Sequence, residues 1–325
     1  MSAIRFENVT KEFSNMARSA VDHCSLEVDK GQFIVLLGPS GCGKTTLLKM
    51  VNRLYEPSSG TIYLDGVDIR QLNVNKLRRQ IGYVIQQTGL FPHMTVAQNI
   101  ATVPNLLRWP KQQTDQRVDE LLALVDLPPA EYRTRYPAQL SGGQQQRVGV
   151  ARALAGNPEF ILMDEPFGAV DAITRMSLQD EMITLQKKLR KTILFVTHDV
   201  DEALRLADKI VIMRGGKIVQ YDTPLNILNH PADAFVKELM GGGDIVRQLG
   251  LMRVEVAMHK LPPDFHADSQ PTISCEQDLR HALSLLLQPD TTTLLVMDQQ
   301  TPVGLLTLDD LRAASGEQSS LAAVS

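Results

Sequence analysis

Two short segments of this 325-residue chain carry residue types at spacings that suit phosphate chemistry. The first is Gly38-Pro39-Ser40-Gly41-Cys42-Gly43-Lys44-Thr45, which has the spacing G-x-x-x-x-G-K-[ST]. Its glycines let the backbone curl until successive N–H groups face inward. A helix opening at Lys44 would add the positive end of its dipole, which favours an anion. Lys44 supplies a compact charge for β- and γ-phosphates, and the Thr45 hydroxyl can bind Mg²⁺. A glycine turn with a chance lysine is the bland alternative. Context weighs against it, because the apolar run Phe33–Leu37 precedes the loop and a helical pattern with Leu47, Leu48 and Val51 on one face follows it.

The second segment is Phe160-Ile161-Leu162-Met163-Asp164-Glu165, four apolar residues and then two carboxylates. It reads as a buried strand with both acids where it emerges. Asp164 would hold Mg²⁺, usually through water. Glu165 would polarise an attacking water as general base, an effect of roughly 10²–10⁴-fold. Acids at a strand end are common, so the pair alone favours a solvated end; beside a phosphate loop the catalytic reading wins. His198 follows another apolar run, Ile193 to Thr197. A lone histidine is more often structural, but one at this strand end could contact a γ-phosphate and order Glu165 and the water. Gln86, after the apolar residues 81–85, could reach Mg²⁺ and the water from another side, although Gln87 leaves that choice ambiguous by one residue.

These residues need strands to carry them. Short apolar strands are expected at Phe33–Leu37, 81–85, 159–163 and Thr192–Val196, and helices at 114–125 and 173–190. Strands alternating with helices imply an α/β fold with a largely parallel sheet. Gly241-Gly242-Gly243 is entropically costly inside an element and marks a break. We therefore expect a linker at 241–252 and a small domain at 253–315, with a helix at 278–287, strands at 293–297 and 302–307, and a helix at Leu308–Ala314. Residues 316–325 read as a frayed, disordered tail.

Composition sets outer limits. Hydrophobic residues make up 43% and charged residues 22%, ordinary for a soluble globular chain. No apolar run approaches the ~18–20 residues of a membrane-spanning helix, and the N-terminus lacks signal-peptide character. Three scattered cysteines fit neither a disulfide framework nor a zinc site and point to a reducing compartment. The net charge of −4 argues against nucleic acid as a partner. From residue 254 onward three basic residues (Lys260, Arg280, Arg312) face ten acidic ones, so the small domain is acidic and the remainder basic.

Leu140-Ser141-Gly142-Gly143-Gln144-Gln145-Gln146-Arg147 decides between readings. Physically it is a serine and two glycines opening a helix, a second anion-seeking helix start. As a sequence it resembles the signature motif of ATP-binding cassette (ABC) proteins. The order Gly38 to Thr45, Gln86, Leu140 to Gln144, Asp164-Glu165, Asp171 and His198 resembles that family over about residues 3–240.

The resemblance implies a P-loop NTPase cassette with a helical subdomain at about 87–140. It implies ATP and Mg²⁺ as ligands. ATP contacts would come from Phe13, stacked on adenine, and from Gly38, Pro39, Ser40, Gly41, Cys42, Gly43, Lys44, Thr45 and Thr46. Metal contacts would come from Thr45, Gln86 and Asp164, and catalysis from Glu165, His198 and Gln86. It also implies a homodimer in which Leu140, Ser141, Gly142, Gly143 and Gln144 of one copy cap the γ-phosphate held by Lys44 of the other, with Asp171 linking the two sites. Phe13 could equally be an ordinary core aromatic. Cys42, in an anion-binding loop, could have a lowered pKa; a small residue that simply fits is the preferred reading.

One cassette without a membrane span implies separate integral membrane permease subunits, docking near Phe91-Pro92-His93-Met94-Thr95, and indirectly a substrate-binding protein. The implied location is the cytoplasmic side of a bacterial cell membrane, as a peripheral subunit. Residues 81–96 and Asp222-Thr223-Pro224 resemble importers of glycine betaine, proline betaine, choline and carnitine, with amino-acid or polyamine importers as the alternative. Residues 272–307 resemble a single CBS (cystathionine β-synthase) repeat, which such importers append. A soluble repair or translation cassette would need a coiled-coil insertion or a second cassette. A catalytically dead cassette is at odds with intact Lys44, Glu165 and His198.

Overall fold

The computed structural model describes residues 2–14, 18–85, 89–168, 170–241, 244–261, 270–289 and 291–314. The strands are β1 (Ser2–Lys11), β2 (Val21–Asp29), β3 (Phe33–Leu37), β4 (Ser59–Leu64), β5 (Val67–Asp68), β6 (Ile81–Val84), β7 (Phe160–Asp164), β8 (Thr192–Val196), β9 (Lys209–Arg214), β10 (Lys217–Asp222), β11 (His259–Lys260), β12 (Thr272–Ser274), β13 (Thr293–Asp298) and β14 (Thr301–Thr307). The helices are α1 (Lys44–Val51), α2 (Val74–Arg79), α3 (Val96–Ile100), α4 (Thr102–Leu106), α5 (Lys111–Leu124), α6 (Pro129–Tyr132), α7 (Gly142–Leu154), α8 (Ala172–Leu189), α9 (Val200–Leu206), α10 (Pro224–Asn229), α11 (Ala234–Leu239), α12 (Ile245–Leu249), α13 (Val254–Ala257), α14 (Leu279–Leu286) and α15 (Leu308–Ala314).

Contacts divide the chain into two units, Met1–Ile227 and Leu228–Ser325. The first unit holds a six-stranded sheet of order β10-β9-β3-β8-β7-β6. Its strands β9, β3, β8, β7 and β6 are mutually parallel, and β10 joins the edge antiparallel. β3 and β8 are buried at every residue, which is why their sequences are unbroken apolar runs rather than alternating ones. The C-terminal ends of β3, β8 and β7 therefore lie side by side, where ligands bind in open parallel sheets.

A second, antiparallel sheet has the order β2-β1-β4-β5. Sequence reading missed it, although β2 carries the period-2 signal from Cys24 onward: Cys24, Leu26 and Val28 are buried, and Ser25, Glu27 and Asp29 are exposed. The helices α3 to α6 occupy the region expected to be helical. Arg133 ties α6 to α5 through Asp115, at 2.5 Å, and through Asp119. Several expected bounds shift by a residue or more. The strand expected at 81–85 ends at Val84, leaving Ile85 37% exposed. The strand expected at 159–163 runs Phe160–Asp164, and the helix expected at 114–125 already begins at Lys111.

The second unit contains a sheet of order β11-β14-β13-β12, with β12 parallel to β13 and the other pairs antiparallel. Its core gathers Leu249, Val254, Ile273, Leu279, Leu286, Leu294, Val296, Leu306 and Leu311. The expected linker at 241–252 needs correction. It contains α12, capped by Asp244, and Leu249 of that helix is buried in the second core. The break falls earlier because α11 and α12 make their contacts with the second unit. The expected tail at 316–325 lies outside the described residues. No described helix is long and apolar enough to cross a membrane.

Candidate functional site

The loop after β3 turns sharply enough that Gly43 sits at φ +108°, where a Cβ would lie 2.3 Å from the Ala20 carbonyl oxygen. Only glycine fits there, and the loop runs directly into α1, with Cys42 N donating to Pro39 O at 3.3 Å. Lys44, the first residue of α1, is buried, and its Nζ donates to the carbonyls of Gly38 at 2.7 Å and Pro39 at 3.0 Å. Thr45 Oγ1 donates to Asp164 Oδ1 at 2.8 Å, which joins the phosphate loop to the end of β7. A cradle that excludes a Cβ, a buried ammonium, and a hydroxyl beside a carboxylate form a donor set that fits a polyphosphate with a hard divalent cation.

Burial pushes the Asp164 carboxyl above the usual aspartate range, opposed by the Thr45 hydrogen bond and by the Lys49 and Lys44 charges. Two consequences follow. The carboxyl takes up a proton at a higher pH than a free aspartate, so a cation held there would be released at a higher pH on acidification. Because folding raises this pKa, the ionised form opposes folding at neutral pH. Asp164→Asn should therefore leave the nucleotide-free melting temperature unchanged or higher while Mg²⁺-dependent ATP hydrolysis falls at least tenfold, roughly the scale of one lost charge-assisted contact. Calorimetry and a hydrolysis assay on the same preparation check both arms.

Glu165 adopts φ +45°, a left-handed backbone that a glutamate takes only at a cost of about 1–3 kcal/mol. The conformation is held from both sides. Glu165 N donates to Val196 O at 3.0 Å, and Gly168 N donates to Glu165 O at 3.2 Å. Two residues on, Phe167 is buried against Phe195 of β8, with ring centroids 5.6 Å apart. The result aims Glu165 at His198, whose Nδ1 lies 3.3 Å from Glu165 Oε2. Thr45, Asp164, Glu165 and His198 thus meet across the ends of β3, β7 and β8, as the motifs imply. Gln86 lies outside the described residues.

The other expected positions fall on other surfaces. Ser141 caps α7 in a reciprocal capping box: Gln144 N donates to Ser141 Oγ at 3.3 Å, and Ser141 N donates to Gln144 Oε1 at 3.0 Å. The helix thus starts at Gly142. A Cβ on Gly143 would approach Thr174 Cγ2 at 2.6 Å, so the glycine brings the start of α7 onto the start of α8. Asp171 caps α8 by accepting from Thr174 N at 3.1 Å. Ser141, Gly142 and Asp171 are exposed.

Phe13 is half-buried and lies outside the first unit's core; its ring meets Tyr55 edge-on at 5.3 Å, with Lys11 Nζ 5.1 Å from its centroid. Tyr55 was not anticipated. Its signal is an exposed aromatic directly after α1. Cys42 is buried, and desolvation pushes its thiol up, with the Lys44 charge only a secondary opposing influence. The lowered-pKa reading is thereby corrected, because burial outweighs the anion-binding loop. Near the expected docking loop, the fully buried Asn99 accepts from Phe91 N at 2.8 Å and donates to the carbonyls of Phe91, Met94 and Thr95, while the Phe91 side chain stays 41% exposed.

The chain is similar to known proteins of one family. The ABC transporter family model matches residues 21–168. The glycine betaine/carnitine/choline transport ATP-binding protein OpuCA of Bacillus subtilis is 51% identical over 298 residues, 91% of this chain and 76% of its own length. The glycine betaine uptake system ATP-binding protein YehX of Escherichia coli is 49% identical over 310 residues, 95% of this chain and 98% of its own. Among solved structures, a dimeric post-hydrolysis state of the ATP-binding cassette MJ0796, bound to ADP and Pi, matches with a TM-score of 0.60 at 31% identity, covering 68% of this chain and 98% of that one.

Proposed function

This chain belongs to the ATP-binding cassette transporter family, and from that premise we propose that it is the ATP-hydrolysing subunit of an importer for quaternary amines such as glycine betaine, choline or carnitine. One observation carries the enzymatic half: Lys44, Thr45, Asp164, Glu165 and His198 converge at the ends of three adjacent parallel strands. The substrate class is supported by relatives at about half identity whose matches run through 91–95% of the chain and so include the second unit.

Lys44 gives up its loop carbonyls to meet the β- and γ-phosphates, and the loop amides share the remaining charge. Thr45 and Asp164 would hold Mg²⁺, which when bound neutralises charge on the phosphate oxygens. Glu165 accepts the proton of the attacking water, and His198 fixes the carboxylate that does so. Phe13 supplies the aromatic platform for adenine. Ser141 and Gly143 of a second copy close the site from the other side, their amides at the start of α7 facing the γ-phosphate. The two Asp171 loops meet across that interface. The loop ordered by Asn99 receives a helix of the permease. Residues 253–315 form a CBS-like appendage.

Uptake by the reconstituted importer, with permease and binding protein in vesicles containing ATP, tests the substrate class. Labelled glycine betaine, choline or carnitine should accumulate, and amino acids or polyamines should not. Uptake of amino acids or polyamines alone would discard the quaternary-amine class while leaving the hydrolytic site intact.

A further inference from the structure

The place of His198 is set by side chains outside the nucleotide site. Thr197, the residue before it, is buried, and its Oγ1 donates to Glu202 Oε2 at 2.6 Å. Thr197 N donates to Leu36 O of β3 at 3.2 Å, and Asp199 N donates to Thr197 Oγ1 at 3.0 Å. Asp199 in turn caps α9, accepting from the amides of Asp201 and Glu202. Both neighbours of His198 are therefore tied to the first turn of α9.

Arg175, in the first turn of α8, reaches this group from the Asp171 side. Its Nη2 donates to the carbonyl of Val170, the residue before Asp171, at 3.1 Å, and its Nη1 lies 3.5 Å from Asp199 Oδ2. Its Nε is buried without a hydrogen-bond partner among the described residues and lies 3.9 Å from Glu202 Oε1. Glu202 is 5% exposed. A buried N–H held about 1 Å beyond hydrogen-bond length from a buried carboxylate leaves that donor unmet, which is unfavourable for the arginine.

We propose that Arg175 is a positioning residue that couples the Asp171 loop to His198 through Asp199, Glu202 and Thr197. The proposal rests on the hydrolytic reading above. When the Asp171 loop moves, Val170 carries the guanidinium onto Glu202; the shift passes through the Thr197 hydroxyl and sets His198 against Glu165. The competing role is a plain ion pair fastening α8 to α9. Arg205 and Asp180, 2.6 Å apart on the same two helices, already serve that purpose and supply the control.

The test compares kcat and KM for ATP in the full-length chain with and without His198→Ala, using single turnover where rates are low. Arg175→Ala should lower kcat about tenfold with KM within about twofold, and should lower the residual rate of His198→Ala by less than about twofold, because it acts through that histidine. Arg205→Ala should stay close to the parent rate in both backgrounds. An equal loss from Arg175→Ala in both backgrounds, or no loss in the parent, overturns the relay. Should Arg175→Ala fail to fold, Arg175→Lys serves the same comparison: a single point donor cannot span Val170, Asp199 and Glu202 together, so most of the loss should remain. A parent chain that hydrolyses no ATP would instead remove the hydrolytic reading, and the relay with it.

Discussion

Glu165→Gln is expected to bind ATP and close the dimer as the parent does, yet hydrolyse ATP about 10²–10⁴-fold more slowly. The two side chains have the same shape, and the amide oxygen still accepts hydrogen bonds. The amide has no capacity to take a proton from water at neutral pH. The backbone at this position, φ +45°, strains glutamine and glutamate alike, so the loop anchored by Phe167 keeps its course. His198 Nδ1, 3.3 Å from Oε2, keeps an acceptor within reach. Size-exclusion chromatography with ATP reads closure, and a phosphate-release assay reads turnover. Hydrolysis at the parent rate would place the general base elsewhere.

Lys44→Ala should act at the preceding step. Its ammonium is buried and held by two loop carbonyls, inside the loop proposed to take the phosphates. A hydrogen bond to a charged group contributes about 1.5–3 kcal/mol, which corresponds to roughly 10–100-fold in ATP affinity. The loop shape is set mainly by Gly43 and by the start of α1, so a thermal melt should still show a folded chain while titration with ATP shows the loss. Unchanged affinity would mean that the loop amides alone hold the phosphates.

The strand-end cluster of Lys44, Thr45, Asp164 and Glu165 was legible from sequence because each half is a local pattern on a strand end. A glycine loop before a lysine needs only its own helix start, and an acidic pair after four apolar residues needs only its own strand. The Ser141–Gln144 capping box is likewise contained within four residues. What escaped depends on elements meeting in space. Arg175, Glu202 and Asp199 read as ordinary charged positions on polar helices, and only the packing of α8 beside α9 buries Glu202 and the Arg175 Nε. The division between units escaped for a similar reason. Three glycines suggest a break, but the burial of Leu249 is decided by a sheet whose strands come later in the chain. The antiparallel sheet of β1, β2, β4 and β5 was legible in principle from the alternation in β2, a weaker signal than the unbroken apolar runs of β3 and β8.

On the proposed mechanism ATP is hydrolysed at a site shared by two copies of the chain, Lys44 and Glu165 from one and Ser141 from the other. The direct measurement is ATP hydrolysis by a mixture of two inactive variants, Glu165→Gln and Ser141→Arg. In a mixed dimer one site combines an intact Glu165 with an intact Ser141, and the other site carries both lesions. Each variant alone should be inactive and the mixture should recover up to about a quarter of parental activity, because about half of randomly paired dimers are mixed and each has one working site. A mixture as inactive as its components, with mixed dimers shown to form, would contradict the shared site.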